Sequence, residues 1–302
     1  MKKFLIESAV FLAIIFISFY VILLKADGYT DPFYIRFTTP KQHSLILGNS
    51  RAAQGIQPAV LNKVLSGKDF FNYSFTLTHS PYGPTYLKSI KKKLHEETRD
   101  GIFILSVDPW SISSNSKNPE DSTQFKELER FLGKTRFVNL SPNVPYLLDS
   151  YDQPFINLLF TPKTSMYLHD DGWLEVTIRM DSVSLRKNVK KKVADYKKNN
   201  LPFFKFSQVR LDYLIKTVEY LKQHGKVYLV RLPVHPLMME IDRQLIPDFD
   251  DKIRFVAEIT HTPYLDLTFL NDQYVFTDGN HLFKKSGEEI SNEIGKWILS
   301  LN

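Results

Sequence analysis

The sequence predicts an α/β protein, a three-layer α/β/α sandwich around a mostly parallel sheet, carried on an N-terminal transmembrane helix. Three observations predict it: short apolar runs bounded by turn residues recur along the chain, helical patterns alternate with them, and one long apolar run opens the sequence. From Phe4 to Leu24 the only charged residue is Glu7, and about 20 apolar residues match the bilayer core. Lys2 and Lys3 precede the run, whereas Lys25 is followed closely by Asp27, so the positive-inside rule places the short end in the cytoplasm. The body is then expected in the periplasm or cell exterior. The run exceeds the about 7–15 apolar residues of a cleaved signal and no A-x-A site follows, which favours an anchor in the inner (cytoplasmic) membrane over residues 1–25.

Residues 26–42 contain Asp31-Pro32 and Thr39-Pro40 and read as a linker, so the domain is expected over 43–302. Ser44-Leu45-Ile46-Leu47, ended by Gly48, suits a buried parallel strand. Similar runs are Phe70–Tyr73, Ile102–Val107, Val227–Val230 and Tyr264–Leu267. Pro58 opens a helix through Leu65, and Tyr86–Leu94 reads as the next. Phe206–His224 carries Leu211, Leu214, Ile215, Val218 and Leu221 at helical spacing, with Gly225 as its expected stop. The last helix is signalled by Ser286-Gly287-Glu288-Glu289, read as a capping box, then Ile290, Ile294, Trp297 and Ile298 on one face. Residues 109–201, with six prolines and a basic helix near Arg186–Lys198, fit the alternation poorly and read as an insertion.

The 302 residues are 43% apolar and 24% charged, enough to bury a full core. The net charge of +6 comes with runs such as Lys91-Lys92-Lys93 and Lys190-Lys191-Lys192, which read as solvated helix faces rather than a nucleic-acid footprint. The absence of cysteine excludes disulfides, thiolate metal sites and a cysteine nucleophile. No phosphate-cradling glycine loop occurs, and His169-Asp170-Asp171 lacks metal-ligand partners at helical or hairpin spacing, so no cofactor is expected.

Two segments carry chemistry. In Ile46-Leu47-Gly48-Asn49-Ser50-Arg51 a strand runs through a small residue into a serine ahead of a helix, at the end of the sheet where sites of open α/β folds collect. In Thr277-Asp278-Gly279-Asn280-His281-Leu282 an aspartate and a histidine stand three residues apart, bent by Gly279. A serine hydroxyl needs an imidazole to take its proton, and the imidazole needs a carboxylate to hold its tautomer, so Ser50, His281 and Asp278 together can perform acyl transfer. Each segment alone is also ordinary turn chemistry.

The two blocks resemble those of the SGNH (GDSL-like) hydrolases, which carry Gly-Asp-Ser near the start and Asp-x-x-His near the end. Here they read Gly48-Asn49-Ser50 and Asp278-Gly279-Asn280-His281, and the resemblance spans 43–302. It implies Ser50 as nucleophile, with His281 and Asp278 as base and orienting acid. The family's middle blocks, which supply a glycine N–H and an asparagine amide to the oxyanion hole, have no counterpart. At the equivalent strand ends stand Asn72-Tyr73-Ser74 through His79-Ser80, and Ser106-Val107-Asp108-Pro109-Trp110. The oxyanion candidates are the Ser50 N–H and groups near Thr78. Arg51, Asn72, His79, Asp108, Arg231 and His235 are candidates to line the substrate, and Trp110 and Trp173 to stack on sugar rings. With the anchor, these departures resemble an envelope branch of the family that includes alginate acetylation proteins and the D-alanyl transfer protein of teichoic acid systems. That resemblance implies esterase or O-acyltransferase action on acyl, chiefly acetyl, esters of an extracytoplasmic polysaccharide, and a membrane acyl-transfer protein as a partner. The alternative is an inactive protein of the same fold that binds a glycan or partner.

Overall fold

The computed structural model describes residues 1–160 and 163–301. In chain order the strands are β1 (Ser44–Leu47), β2 (Phe70–Asn72), β3 (Gly101–Ser106), β4 (Ser113–Ser114), β5 (Met166–Leu168), β6 (Leu174–Val176), β7 (Lys205–Phe206), β8 (Gly225–Arg231) and β9 (Tyr264–Asp266). Five of them form one sheet in the order β2-β1-β3-β8-β9, with every neighbouring pair parallel. The pairs β4–β7 and β5–β6 are short antiparallel ribbons inside the long connection that follows β3. The helices are α1 (Lys2–Leu23), α2 (Ser50–Gly55), α3 (Pro58–Val64), α4 (Pro84–Lys93), α5 (Phe131–Lys134), α6 (Val144–Ser150), α7 (Ser182–Asp195), α8 (Gln208–Lys222), α9 (Pro236–Leu245), α10 (Phe249–Ile259) and α11 (Lys284–Ser300).

Side chains on a strand alternate between faces, and the core divides accordingly. Leu45, Leu47, Phe103, Leu105, Val227 and Leu229 pack with residues of α4, α8 and α10 on one face. Ile46, Ile102, Ile104, Tyr228 and Val230 pack with residues of α3 and α11 on the other. This is the expected three-layer α/β/α sandwich with helices on both faces. The chain passes from β1 outward to β2, then crosses back to β3 on the opposite side of β1. The strand order therefore reverses between β1 and β3, and the crevice at their carboxyl ends is where a doubly wound sheet places its site.

Four local readings change. Residues 26–42 are part of the body: Tyr34–Phe37 form a 3-10 turn whose four side chains are buried. There the Arg36 guanidinium donates to the carbonyls of Pro32, Asn72 and Gly172. The domain thus begins near Asp27, because these aromatic and carbonyl contacts need that segment in place. Ser286 caps nothing: α11 starts earlier, at Lys284, and the Ser286 hydroxyl instead accepts from the Val275 N–H at 3.0 Å. Gly225 opens β8 instead of stopping α8, which begins at Gln208 under a Ser207 cap. The helices α9 and α10 stand where the sequence reading marked none. The 109–201 region is a long crossover, and its basic helix α7 lies against the 276–279 turn: a Cβ at Gly279 would touch Val189 at 3.4 Å.

Candidate active site

Ser50 is the first residue of α2 and partly exposed at the carboxyl end of β1. Gly48 makes the turn possible. Its φ of +148° is strained for any residue with a side chain, and a Cβ there would lie 2.8 Å from that of Ser106 on β3. The Gly48 backbone is held from both sides, its N–H donating to the Tyr86 hydroxyl at 3.0 Å and its carbonyl accepting from Ser80 Oγ at 2.7 Å. Asn49 caps α2: Oδ1 accepts from the Arg51 N–H at 3.0 Å while Nδ2 donates to Asp108 Oδ2 at 2.7 Å. The backbone leading into the serine is thus fixed through Gly48 and Asn49, by Tyr86 of α4, Ser80 and Asp108.

The partner turn is built in the same manner. Gly279, at φ +86°, reverses the chain so that the Asp278 carboxylate accepts from the N–H groups of Asn280 at 3.0 Å and His281 at 3.1 Å. It also faces His281 Nδ1, 3.0 Å from each carboxylate oxygen. His281 Nε2 lies 2.8 Å from Ser50 Oγ. An ionised carboxylate only accepts, so Nδ1 carries the proton and Nε2 is the acceptor facing the serine hydroxyl. Burial raises the Asp278 pKa, but His281 and Lys192, whose Nζ is 3.2 Å from Oδ2, outweigh it and hold the carboxyl well below the usual range. Asp278 is therefore ionised wherever the protein is folded near neutrality. Such a line of carboxylate, imidazole and hydroxyl has the geometry for removing a proton from Ser50.

Beneath this line runs a buried polar network that sequence reasoning missed. Arg51 pairs bidentately with Asp242 of α9, at 2.7 and 2.9 Å, with only 4% and 1% of the two side chains exposed. Trp110 Nε1 donates to the same carboxylate at 2.8 Å. Arg51 Nε donates to Asn280 Oδ1 at 3.0 Å. A guanidinium has no acceptor, so this bond fixes which end of the Asn280 amide is oxygen. Its nitrogen then points to the Tyr196 hydroxyl and to His281 Nε2, 3.2 Å from each. In the Asp-x-x-His pattern Asn280 is one of the two unspecified positions, so the pattern gives it no role. No local signal marks Asp242, which stands 191 residues from Arg51 in sequence.

The network reassigns several expected substrate-lining residues. Arg51 is buried in its ion pair, and Asp108 is buried under Asn49 while it caps the 109–112 turn with Ser111. Asn72 is fully buried and donates to the carbonyls of Ala52 and Ile56 at the end of α2. Arg231 is buried, paired with Asp250 over the Phe249 ring. A charged or amide group spent on a buried partner is not free for a substrate. Trp110 is likewise 1% exposed and presents no face to a sugar, whereas Trp173 stacks on His169 and donates to the Gln54 carbonyl. Thr78 is engaged with Thr76 and His79, and His79 stacks on Phe131 at 4.1 Å. His235 caps α9 and lines a cavity of about 340 Å³ with Val189, Leu185 and Phe276, beside the 278–281 turn. Of the oxyanion candidates, the Ser50 N–H stands at the nucleophile itself, at a helix position with no intrahelical acceptor. Among the described residues no group of three or more His, Cys, Asp or Glu side chains could hold a metal ion.

No protein-family model matches the chain, and no curated protein matches it. Among solved structures the chain is similar to an aryl esterase of M. smegmatis, at 11% identity over 86% of this chain and 100% of that one, with a TM-score of 0.39. It is also similar to Est24, a carbohydrate acetylesterase from Sinorhizobium meliloti, at 10% identity, 87% and 100% coverage and a TM-score of 0.41. A lipase/acylhydrolase from Enterococcus faecalis matches at 11% identity, 85% and 95% coverage and 0.42. Likeness at this level bears on neither chemistry nor substrate, and the architecture of the chain stands on its own strand order and layers.

Proposed function

We propose that this chain is a serine esterase or O-acyltransferase acting on acyl, chiefly acetyl, esters of an extracytoplasmic polysaccharide or related envelope polymer. The observation that carries the reading is the unbroken Asp278–His281–Ser50 line, with contacts of 3.0 and 2.8 Å. Ser50 Oγ attacks the ester carbonyl as its proton passes to His281 Nε2, and Asp278 steadies the imidazolium that results. The Ser50 N–H donates to the oxyanion. The imidazolium returns the proton to the departing alcohol, leaving an acyl-serine. Water or a sugar hydroxyl then attacks that ester, giving its proton to Nε2, which passes it to Ser50 Oγ as the acyl group leaves as a carboxylic acid or a new sugar ester.

The envelope setting is supported by α1, a 22-residue helix long and apolar enough to cross a membrane, with Lys2 and Lys3 at its start. The likeness of Gly48-Asn49-Ser50 and Asp278-Gly279-Asn280-His281 to the SGNH blocks supports the ester chemistry. The test compares wild type with Ser50→Ala, as full chains in detergent, for release of acetate from a small aryl acetate. Wild type is expected to turn over and the variant to lose on the order of a thousandfold. Equal, measurable turnover by the two proteins would remove Ser50 from the mechanism.

A further inference from the structure

The anchor helix is shorter than the membrane it has to cross once its contact with the body is taken into account. Its first side chains packed against the body are Phe19 and Ile22, followed by the buried Leu23. From Phe4 to Ser18 the helix stands clear, a stretch of about 22 Å at 1.5 Å per residue. The hydrocarbon core is about 30 Å thick, and tilt would shorten the reach further. Unless the bilayer thins to meet it, the part of the body that touches Phe19 then lies within the outermost several ångströms of the hydrocarbon.

What touches Phe19 there is apolar. The Phe155 ring meets the Phe19 ring edge-on at 5.4 Å, with Tyr151 against Phe155 at 5.8 Å. In the same segment Leu148, Ile156, Leu159 and Phe160 are 57%, 55%, 42% and 76% exposed. Large apolar side chains gathered in one segment of 13 residues and continuous with a membrane helix are costly to leave in water. We propose that the 148–160 segment is a second membrane contact, seated in the outer-leaflet interface beside α1. The inference rests on reading α1 as a membrane span. Its depth is that of a monotopic element, about 5–10 Å, with the exposed acidic groups of Asp149 and Asp152 held at the headgroups. Two attachments, one spanning and one interfacial, stop the body from swivelling about a single helix and fix the direction in which Ser50 faces.

The cysteine-free chain makes the test direct. Single-cysteine full chains Ile156→Cys, Phe160→Cys, Phe11→Cys and Phe269→Cys are labelled with an NBD fluorophore. They are then reconstituted in vesicles of phosphatidylcholine and phosphatidylglycerol, with and without lipids doxyl-labelled near the headgroup or at mid-chain. Phe269, 75% exposed beyond β9 at the sheet edge opposite β2, is the water-facing reference. The expected result is mid-chain quenching at Phe11, together with shallow-lipid quenching at Ile156 and Phe160 at least about twofold above Phe269. Quenching at Phe11 with Ile156 and Phe160 no different from Phe269 would overturn the second contact and leave the anchor standing. Quenching at none of the four would overturn the span and the contact together.

Discussion

The Arg51–Asp242 pair makes the sharpest stability prediction, because both charges are buried and, among the described residues, Asp242 is the carboxylate in contact with Arg51, Asp108 acting on it only from farther off. Asp242→Leu leaves the Arg51 guanidinium in a low-dielectric site without its carboxylate, at a cost of about 3–5 kcal/mol. It also strips the Trp110 N–H of its acceptor, which adds about 1–3 kcal/mol. Together these come to about 4–8 kcal/mol, and at about 2–4 °C per kcal/mol for a body of this size the melting temperature should fall by about 8–30 °C. Removing both charges in Arg51→Met/Asp242→Leu abolishes the unpaired cation. What remains is the loss of one partner each by Trp110 and Asn280, about 1–3 kcal/mol apiece. The double variant should therefore be more stable than Asp242→Leu alone and far from the sum of the two single changes. Thermal unfolding followed by intrinsic tryptophan fluorescence reads all four corners of the cycle. Additive single effects, or an Asp242→Leu shift of under about 2 °C, would refute the buried-pair reasoning.

Other perturbations separate the site from its scaffold. Asp278→Asn should lower kcat on an aryl ester by about ten-thousandfold through lost tautomer control and should lower the melting temperature at neutral pH as well, because the ionised carboxylate is held by His281 and Lys192; stopped-assay kinetics beside a melt check both parts. Lys192→Met removes the outer cation on Asp278, but at 30% exposure that contact is screened, so kcat/KM should change by less than about threefold. His79, half-buried between Phe33 and Phe131, has its pKa pushed down to about 4 by burial and by Arg130. The unfolded chain binds the proton near 6.5, so the stability His79 contributes is fully present above that pH. It drains away as the pH falls toward 4, by about 3 kcal/mol in all. The Asp31 carboxyl, pushed up to about 6 by burial, works in the opposite sense over the same window. The test is therefore the urea stability of wild type minus that of His79→Phe, which should shrink by about 3 kcal/mol as the pH falls from about 6.5 to about 4.

The strands were legible because each is a short apolar run bounded by turn residues, and the alternation with helices gave the layers. Their spatial order was not, since nothing local in Phe70–Asn72 states that it pairs outside β1 while Gly101–Ser106 pairs on the other side. The triad residues stood out because both blocks sit at strand or turn ends and carry residue types that make sense together. The six-residue α2 is too short to show periodicity, and α10 escaped although Phe249, Ile253 and Val256 mark its buried face. The Ser286 capping pattern misled because the serine lies inside α11 and is spent on a tertiary bond to Val275. Arg51, Asn72, Asp108 and Arg231 looked like site residues by their position at strand ends. Their partners, from Asp242 to Asp250, come from parts of the chain that only the fold brings near.

The most direct test of the account is covalent capture of the nucleophile. The full chain in detergent is treated with a fluorophosphonate and the adduct is mapped by peptide mass spectrometry. The account predicts one phosphonylated peptide, modified at Ser50, formed by wild type and lost in both Ser50→Ala and His281→Ala. An adduct on another residue, or labelling of Ser50 that persists unchanged in His281→Ala, would contradict it.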